Sequence, residues 1–379
     1  MDVLFVEPYD GGSHRAFREG LARWSRHRFD ALTLPDRFWK WRMRGSAVWF
    51  ADRIAARERP ADLLLVTDYV NTADLRGLLP RAWRDVPLLL YMHENQLTYP
   101  LSPEEAFDFH FGMTNIVSAL AADRVVFNSA YHRDRFLDAL PSYLGRMPEA
   151  VPKGVRERLA ARSEVLPVGI EREPRPDGAV APWLGGPCAP DAGPGWPRDG
   201  VRPLILWNHR WEFDKRPELV RRVLARLDDA GFDFAVALLG DPRGHPEVFQ
   251  PLRDRLGERI VAWGREPDRA AYARWLERAD IVISAAAQEY FGIAVAEAVH
   301  AGAYAVLPRD QVYPSLYGRH CRGRHFWRDE EECFRLLADL LAGDGRCGHV
   351  CGLPPLADTF CWRRLAPRWD ALLEEMVAA

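Results

Sequence analysis

Over residues 1–170, short apolar runs alternate with longer stretches whose hydrophobic residues recur at helical spacing. The apolar runs are rich in Val and Leu, as are strands buried on both faces of a parallel sheet. We predict strands at Val3–Glu7, Leu63–Thr67, Leu88–Met92, Arg124–Phe127 and Val165–Val168. The stretches between them predict helices at Ala16–Ser25, Ser46–Ala56, Glu104–Ala122 and Arg133–Leu144. This alternation indicates an N-terminal Rossmann-like domain over residues 1–170.

Residues 171–202 interrupt the pattern. They are dense in Pro and Gly, which sustain neither a helix nor a strand ladder, so we interpret them as a linker. Beyond them the alternation resumes and predicts a second Rossmann-like domain over residues 203–361. Its predicted strands are Leu204–Trp207, Phe234–Leu239, Ile260–Trp263, Ile281–Ser284 and Ala303–Leu307, and its predicted helices include Pro217–Ala230 and Ala294–Ala301.

Residues 362–379 predict one amphipathic helix, because their apolar side chains share a face. These side chains are Leu365, Trp369, Leu372, Leu373 and Met376. We expect this crossover helix to pack back on the N-terminal domain. The fold class is then α/β, with two Rossmann-like domains facing across a cleft and ligands at the carboxyl ends of the strands.

The net charge of −3 excludes an overall basic field, so any contact with a nucleic acid must be local. The chain starts without a positively charged leader, and Val3–Val6 is too short to cross a membrane, so we expect a cytoplasmic protein without a membrane partner. The six cysteines lack the paired spacing of zinc sites, which favours free thiols. The segment Cys347–Cys351 offers two sulfurs and a histidine nitrogen without an evident fourth ligand. We therefore predict no metal and no cofactor.

Two glycines, Gly11 and Gly12, follow the first predicted strand and precede His14. Glycine lets the backbone turn tightly and approach a ligand, and the helix start adds partial positive charge. The pair lacks the full spacing of a dinucleotide-binding motif, so an ordinary strand-to-helix turn is the alternative. We interpret this loop as a contact to the sugar phosphate.

The strand Leu88–Met92 is followed directly by four polar residues: His93, Glu94, Asn95 and Gln96. Polar side chains at the carboxyl end of a parallel strand are typical of a ligand site. His93 could accept a proton from an attacking hydroxyl, with Glu94 or Asp68 tuning it. For Asn95 and Gln96, a loop held by its own hydrogen bonds is an equally good interpretation.

The second domain begins with a strand that ends at Asn208, followed by two cations, Arg210 and Lys215. The next helix is predicted to start at a proline, so both cations precede a helix start. There they can neutralise a diphosphate, most strongly as it gathers negative charge while leaving. A solvated charged loop is the weaker alternative, because Trp207 and Trp211 anchor the segment.

Seven residues separate Glu289 from Glu297, after the strand Ile281–Ser284. Glu289 lies in the turn, where it can reach sugar hydroxyls. Glu297 lies about two turns into a helix, where it can bind a ribose diol bidentately. Gly292 and the amides after it would present the helix start to the diphosphate. The alternative is one loop acid and one exposed helix acid.

Two further strand-end turns carry glycine, namely Gly240-Asp241 and Trp263-Gly264-Arg265. Both lie at the carboxyl ends of predicted strands of the second domain. They suit backbone contact with a nucleobase.

The segment Arg37–Arg44 alternates cations with indoles, through Trp39, Lys40, Trp41 and Arg42. Such a segment can grip phosphate and stack an unpaired base, a contact worth about 1–3 kcal/mol per base. The alternative is a helix or hairpin edge whose tryptophans are core and whose cations are solvated.

Taken together, the sequence blocks resemble retaining glycosyltransferases of the GT-B fold, similar to glycosyltransferase family 4, whose mark is two glutamates with an Arg and a Lys upstream. More closely, they resemble the tRNA-queuosine mannosyltransferase family, and the resemblance covers nearly the whole chain. The blocks that carry it are Gly11-Gly-Ser-His14, Trp39-Lys-Trp-Arg42, His93-Glu-Asn-Gln-Leu97, Trp207-Asn-His-Arg-Trp-Glu-Phe-Asp-Lys215 and Glu289-Tyr-Phe-Gly292.

This resemblance implies transfer of mannose from GDP-mannose, with retention, onto the cyclopentenediol of queuosine in the anticodon of tRNA-Asp. It implies that Arg210 and Lys215 bind the diphosphate, Glu297 the ribose and Glu289 the mannose. The remaining expected donor contacts are Gly11, Gly12, Asn208, Gly240, Trp263, Gly264, Tyr290, Phe291 and Gly292. The expected acceptor contacts are His14, Trp39, Lys40, Trp41, Arg42, Asp68, Glu94, Asn95 and Gln96.

The sequence contains no Asp-X-Asp pair, so a metal clamp has no candidate and the cations must stabilise the leaving group. The first domain offers no certain nucleophile, which favours same-face attack assisted by the leaving phosphate. His93 or that phosphate would take the acceptor proton. Two other functions stay open: a GT-B enzyme with another sugar donor and a lipid, polysaccharide or metabolite acceptor, and a non-catalytic RNA- or nucleotide-binding protein.

Overall fold

A computed structural model describes residues 1–102, 104–172, 202–242, 244–318, 324–343 and 353–379. The chain divides into two compact units, each built around one sheet. Unit 1 comprises Met1–Glu171 and Trp362–Ala379, and unit 2 comprises Arg172–Cys361. Apart from residues 171, 172 and 202, the predicted linker lies outside the described residues.

The strands described in unit 1 form one parallel sheet in the order β2-β1-β3-β4-β5-β6. They are β1 (Asp2–Asp10), β2 (Arg28–Pro35), β3 (Leu63–Thr67), β4 (Leu88–Met92), β5 (Arg124–Phe127) and β6 (Ser163–Val165). The helices are α1 (Gly12–Trp24), α2 (Trp39–Ala55), α3 (Thr72–Leu78), α4 (Arg81–Arg84), α5 (Phe109–Ala121), α6 (Ala130–Leu144) and α7 (Val155–Ala160). Every residue of β3 and β4 is buried, as in a sheet covered on both faces.

The strands described in unit 2 also pair in parallel, in the order β12-β11-β10-β7-β8-β9. They are β7 (Leu204–Asn208), β8 (Ala235–Leu239), β9 (Ile260–Gly264), β10 (Ile281–Ile283), β11 (Tyr304–Pro308) and β12 (Phe326–Trp327). The helices are α8 (Pro217–Asp229), α9 (Gln250–Leu256), α10 (Arg269–Arg278), α11 (Ile293–His300), α12 (Tyr313–Tyr317), α13 (Glu330–Ala342) and α14 (Leu353–Asp358). Two 3-10 turns, Phe213–Lys215 and Gly257–Arg259, complete it.

The C-terminal helix α15 (Trp362–Ala378) returns to unit 1, which confirms the predicted crossover. Its Trp369 ring lies 5.2 Å from Phe17 of α1 and 5.3 Å from Tyr91 of β4, measured between centroids. Gly20 of α1 leaves room for Trp362, because a Cβ at Gly20 would overlap the indole. Within the described part of the chain, no helix is both long enough and apolar enough to cross a bilayer.

Candidate active-site residues in the two units

Lys215 lies at the centre of the charged residues that follow β7. Its Nζ is 3.0 Å from Asp214 Oδ2, 3.2 Å from Glu289 Oε2 and 2.9 Å from the carbonyl oxygen of Gln288. An ammonium group has three hydrogens, and these three acceptors match them. Burial alone would lower the pKa of Lys215, but the attraction of Asp214 and Glu289 outweighs it and raises the pKa. Lys215 is therefore a cation that holds Glu289 in place across 74 positions of sequence.

Arg210 is the more accessible of the two predicted cations. Its side chain is 49% exposed, whereas that of Lys215 is 10% exposed. Its Nη1 lies 3.0 Å from Glu212 Oε2, and its Nη2 lies 3.9 Å from Asp214 Oδ2. A phosphate can therefore approach Arg210 from solvent, whereas at Lys215 it must replace one of three buried contacts.

The start of α11 lies next to Glu289. Gly292 precedes the helix with φ 81°, a left-handed conformation that glycine adopts without strain, and a Cβ there would lie 3.1 Å from a ring carbon of Tyr313. Tyr290 and Phe291 are buried, and the Phe291 ring packs edge-on against Phe360. These two side chains therefore contribute to the core of unit 2.

Glu297 lies just over one turn into α11, not two turns as predicted, because the helix begins at Ile293. It is 4% exposed and pairs with the guanidinium of Arg269, while the Tyr272 hydroxyl donates to its Oε2 at 3.2 Å. Asn208 Nδ2 in turn donates to the Tyr272 oxygen at 2.9 Å. Burial and the Glu297 charge raise the pKa of Tyr272, which keeps its proton. The expected ribose ligand is thus a buried acid, not an exposed helix residue.

Sequence reasoning missed Arg269 and Tyr272 because it did not predict α10. The available signal was Asp268, whose side chain caps α10 by accepting a hydrogen bond from Ala271 N at 2.7 Å. It also missed His209, which is 5% exposed beside Arg210. Burial, followed by the charge of Lys215, lowers the pKa of His209 to about 4, so this imidazole is neutral.

The two glycine turns meet at the ends of β8 and β9. The Gly240 amide donates to the Gly264 carbonyl oxygen at 3.0 Å, and both residues have positive φ, 120° and 80°. A Cβ at Gly240 would overlap the carbonyl oxygen of His209, so this position requires glycine. Trp263 packs edge-on against Trp211, with ring centroids 4.9 Å apart, and is only partly buried.

In unit 1, the predicted glycine loop caps α1. Gly11 precedes the helix in an extended conformation, and Gly12 has φ 50° and is exposed. Substitution at Gly11 would drive a Cβ into Asp36. His14, one turn into α1, is 6% exposed, and its Nδ1 lies 3.1 Å from Glu7 Oε1, a residue that sequence reasoning treated only as the end of a strand.

Asp68, His93 and Glu94 also converge in unit 1. Asp68 accepts hydrogen bonds from the amides of His93 (3.2 Å) and Glu94 (3.1 Å), and burial raises its pKa to about 7. The His93 ring stacks on His14 at 3.8 Å between centroids. Burial lowers the pKa of His93 well below its ordinary value, and interactions with His14 and then with His132 lower it further. His93 is therefore neutral and a weak base.

Asn95 and Gln96 shape this loop. Asn95 is fully buried, and its Oδ1 accepts from the amides of Leu97 and Thr98, both at 3.1 Å. Gln96 Nε2 donates to Glu94 Oε1 at 2.9 Å. The Asn95 side chain thus holds its own loop by hydrogen bonds, whereas the Gln96 side chain is hydrogen-bonded to the Glu94 carboxylate.

The predicted cation–indole segment forms the start of α2, with Phe38 as the preceding residue. Trp39 faces inward, stacked on Tyr69 at 6.1 Å and packed on Phe111 at 5.1 Å. Trp41 and Phe38 face outward and are 66% and 69% exposed. The alternative, in which both tryptophans are core, therefore does not hold for Trp41, and Trp39 is only partly buried.

The cations of this segment have nearby partners. Lys40 Nζ lies 2.6 Å from Glu105 Oε1, and an Nη of Arg44 lies 2.9 Å from Asp108 Oδ2. Arg42 donates to the Pro35 carbonyl oxygen at 3.3 Å. An incoming phosphate would compete with these contacts, which are at the surface and therefore weak.

Two groups of three described side chains bring possible metal-ligand atoms within 4.8 Å of one another. They are Glu7, His14 and His93 in unit 1, and His300, Asp358 and Cys361 in unit 2. His300 Nε2 lies 3.0 Å from Asp358 Oδ1, which is also an ordinary hydrogen-bond distance. The predicted Cys347–Cys351 segment lies outside the described residues, and of the six cysteines only Cys333 and Cys361 lie inside them, both buried.

Two parallel α/β units, with cations, a helix start and paired glutamates together in the second, define a glycosyltransferase of the GT-B fold. Sucrose-phosphate synthase from Thermosynechococcus elongatus matches with a TM-score of 0.69 at 16% identity, covering 100% of both chains. HepE from Anabaena, solved with UDP-glucose, matches with a TM-score of 0.61 at 14% identity, covering 100% of this chain and 99% of that one. Identities this low show the fold alone, and they confirm the predicted fold class.

A family model described as the N-terminal part of tRNA-queuosine alpha-mannosyltransferase matches residues 2–170. The tRNA-queuosine alpha-mannosyltransferase of Drosophila melanogaster is 35% identical over 321 residues, which is 83% of this chain and 81% of that protein. The chain therefore belongs to the tRNA-queuosine alpha-mannosyltransferase family, and the resemblance predicted from the sequence blocks is confirmed.

Proposed function

We propose that this protein transfers mannose from GDP-mannose onto the cyclopentenediol of queuosine in the anticodon of tRNA-Asp, with retention at the anomeric carbon. Family membership supports the hexose and the acceptor. The observation that carries the donor side is the partly buried contact between Lys215 and Glu289 beside the start of α11. A tRNA substrate suits a cytoplasmic enzyme, and we propose that compartment.

In this proposal, unit 2 binds the donor. The accessible guanidinium of Arg210 and the first amides of α11 bind the diphosphate, and Lys215 adds a second fixed charge. Glu289, oriented by Lys215, accepts hydrogen bonds from mannose hydroxyls. Glu297 binds the ribose diol, with Arg269 beside it to balance its charge. The nucleobase lies against the glycine turns of β8 and β9.

The transfer step breaks the bond between the mannose anomeric carbon and the β-phosphate oxygen of GDP-mannose. A cyclopentenediol oxygen forms the new bond on the same face, and its proton passes to the departing phosphate oxygen. We assign the proton to the phosphate because the lowered pKa of His93 makes that ring a weak base. The cations stabilise the charge that develops on GDP as it leaves.

Unit 1 binds the acceptor in this proposal. The exposed Trp41 and Phe38 rings at the start of α2 can stack unpaired anticodon bases. Trp39 connects this surface to the buried cluster, because it stacks on Tyr69 and the Tyr69 hydroxyl donates to Glu94 Oε1 at 2.5 Å. The proposed acceptor site thus has two ends. One end is the exposed rings of Trp41 and Phe38, and the other is the cluster of His14, His93, Asp68 and Glu94.

The donor assignment is tested by GDP release from a panel of nucleotide sugars in the presence of queuosine-bearing tRNA. We expect GDP-mannose to be the preferred donor and Arg210→Ala to abolish most of the activity. Arg222→Ala is a matched control, since the Arg222 side chain is also 49% exposed and pairs with Glu330 of α13. Preference for a UDP-sugar, or full activity in Arg210→Ala, would refute the donor site.

The acceptor assignment is tested by tRNA binding. Trp41→Ala should weaken binding by about 1–3 kcal/mol, the contribution of one stacked base, and should leave the salt dependence unchanged because no phosphate contact is lost. Leu78→Ala, which removes another exposed apolar side chain of unit 1, is the control. Equal affinities for both variants would show that α2 does not stack on the anticodon.

A further inference from the structure

Glu7 is a fully buried carboxylate in the second half of β1, and no step of the proposed reaction uses it. Its Oε1 accepts a hydrogen bond from the Tyr9 amide at 2.8 Å and lies 3.1 Å from His14 Nδ1. Its Oε2 is buried without a partner among the described residues. A buried carboxylate in this state is costly unless a positive charge compensates it, and His14 is the group in contact with it.

The stacking of His14 on His93 argues against a metal ion as the positive charge that compensates Glu7. A metal bound by imidazole lies close to the ring plane, about 2.0 Å from the nitrogen. The rings of His14 and His93 are stacked, with centroids 3.8 Å apart and planes inclined by 25°. The nitrogen lone pairs of two stacked imidazoles lie in nearly parallel planes, so they do not point at one metal ion. A proton on His14 satisfies Glu7 without moving either ring.

The surrounding groups determine which ring is charged. Burial would lower the pKa of His14, but Glu7, through its charge and hydrogen bond, with weaker contributions from Asp68 and Glu94, raises it to about 9. His93 faces His14 and, from α6, His132, and both disfavour a charge on it. Tyr9 and Tyr69 complete the surroundings as aromatic neighbours of His14. One imidazolium is therefore stacked on one neutral imidazole.

We propose that Glu7 is a positioning residue that fixes His14 as an imidazolium over a neutral His93, so that His14 offers a charged N–H to a queuosine diol oxygen. With Nδ1 engaged by Glu7, Nε2–H is the remaining donor of the ring. The role of His14 toward the diol rests on the proposed function, whereas the pairing of Glu7 with His14 rests on their contact in the structure.

The test uses the full-length protein with Glu7→Gln, which keeps the side-chain shape and removes the charge. Glu19→Gln is the control, because Glu19 is an exposed acid of α1 that pairs with Arg18. Histidine NMR titration without substrate should show His14 protonated up to about pH 9 in the wild type and in the control. In Glu7→Gln its pKa should fall below the ordinary value, because burial then dominates. An unchanged titration would overturn the pairing.

Activity gives the second readout. In Glu7→Gln, kcat/KM with queuosine tRNA should fall roughly tenfold for each pH unit above the new pKa of His14 and should recover at acid pH. A loss that is equal at every pH would mean a merely structural role and would overturn the proposal. If Glu7→Gln does not fold, Glu7→Asp provides the same comparison with a displaced carboxylate. If His14 titrates as predicted in both proteins but the wild type is inactive on queuosine tRNA, the proposed function is refuted and the pairing of Glu7 with His14 stands.

Discussion

Replacing Lys215 with methionine would remove the cation that lies between two carboxylates. The side chains of Asp214 and Glu289 are only 1% and 18% exposed, and their oxygens lie 3.0 and 3.2 Å from Nζ. At an effective dielectric constant of about 20, each contact contributes about 5 kcal/mol of gross attraction. Desolvation of the charges offsets much of this, so the free energy of unfolding should fall by about 3–5 kcal/mol, the usual cost of stranding a buried charge.

Urea unfolding, followed by circular dichroism and tryptophan fluorescence, measures this loss. Lys40→Met is the matched control, because Lys40 pairs with Glu105 at the surface and should contribute less than about 1 kcal/mol. Adding Glu289→Gln to Lys215→Met should restore part of the stability, since one stranded charge is gone, but should not restore turnover. A Lys215→Met protein as stable as the Lys40→Met control would refute the buried charge cluster.

Three further results are expected. Gly240→Ala should destabilise the protein by more than about 2 kcal/mol in urea unfolding, because its Cβ would overlap a backbone carbonyl oxygen at φ 120°. Gly20→Ala should lower stability by about 1–3 kcal/mol through a clash with an α15 indole, whereas Gly77→Ala, with open space, should not. The pKa of His14 is about 9 in the folded protein, above its unfolded value of about 6.5, so protonation of His14 stabilises the wild-type fold. The difference in unfolding free energy between wild type and Glu7→Gln should therefore be largest below about pH 6.5 and should vanish as pH rises through 9.

The strands β3, β4 and β5 were predictable to the residue, because they are short apolar runs bounded by polar residues. Strand β2 was not, since it lies at the sheet edge and half of its positions are exposed, which erases the apolar signal. The predicted strand Val165–Val168 is wrong at both ends and shares only Val165 with β6, which pairs with β5 through Ser163–Val165. Helix α5 begins at Phe109 rather than at residue 104, because Asp108 caps it.

Site residues were predictable where they follow strands, since parallel strands deliver their loops to one edge of the sheet. The contact of Lys215 with Glu289 joins two such loops. Contacts formed by packing were not predictable. The Asp268 cap could have indicated α10, but not that Arg269 of this helix pairs with Glu297. Glu7 meets His14 only because β1 and α1 pack against each other. Charge state was also inaccessible, because it depends on burial that a sequence does not record.

The most direct test of the proposed activity is the mass of the modified nucleoside. The full-length protein is incubated with GDP-mannose and tRNA-Asp that bears queuosine, the tRNA is digested, and the nucleosides are analysed by mass spectrometry. We expect queuosine heavier by one hexose, and no product when the tRNA carries guanosine in its place. Hexose on the tRNA that lacks queuosine, or queuosine of unchanged mass, would contradict it.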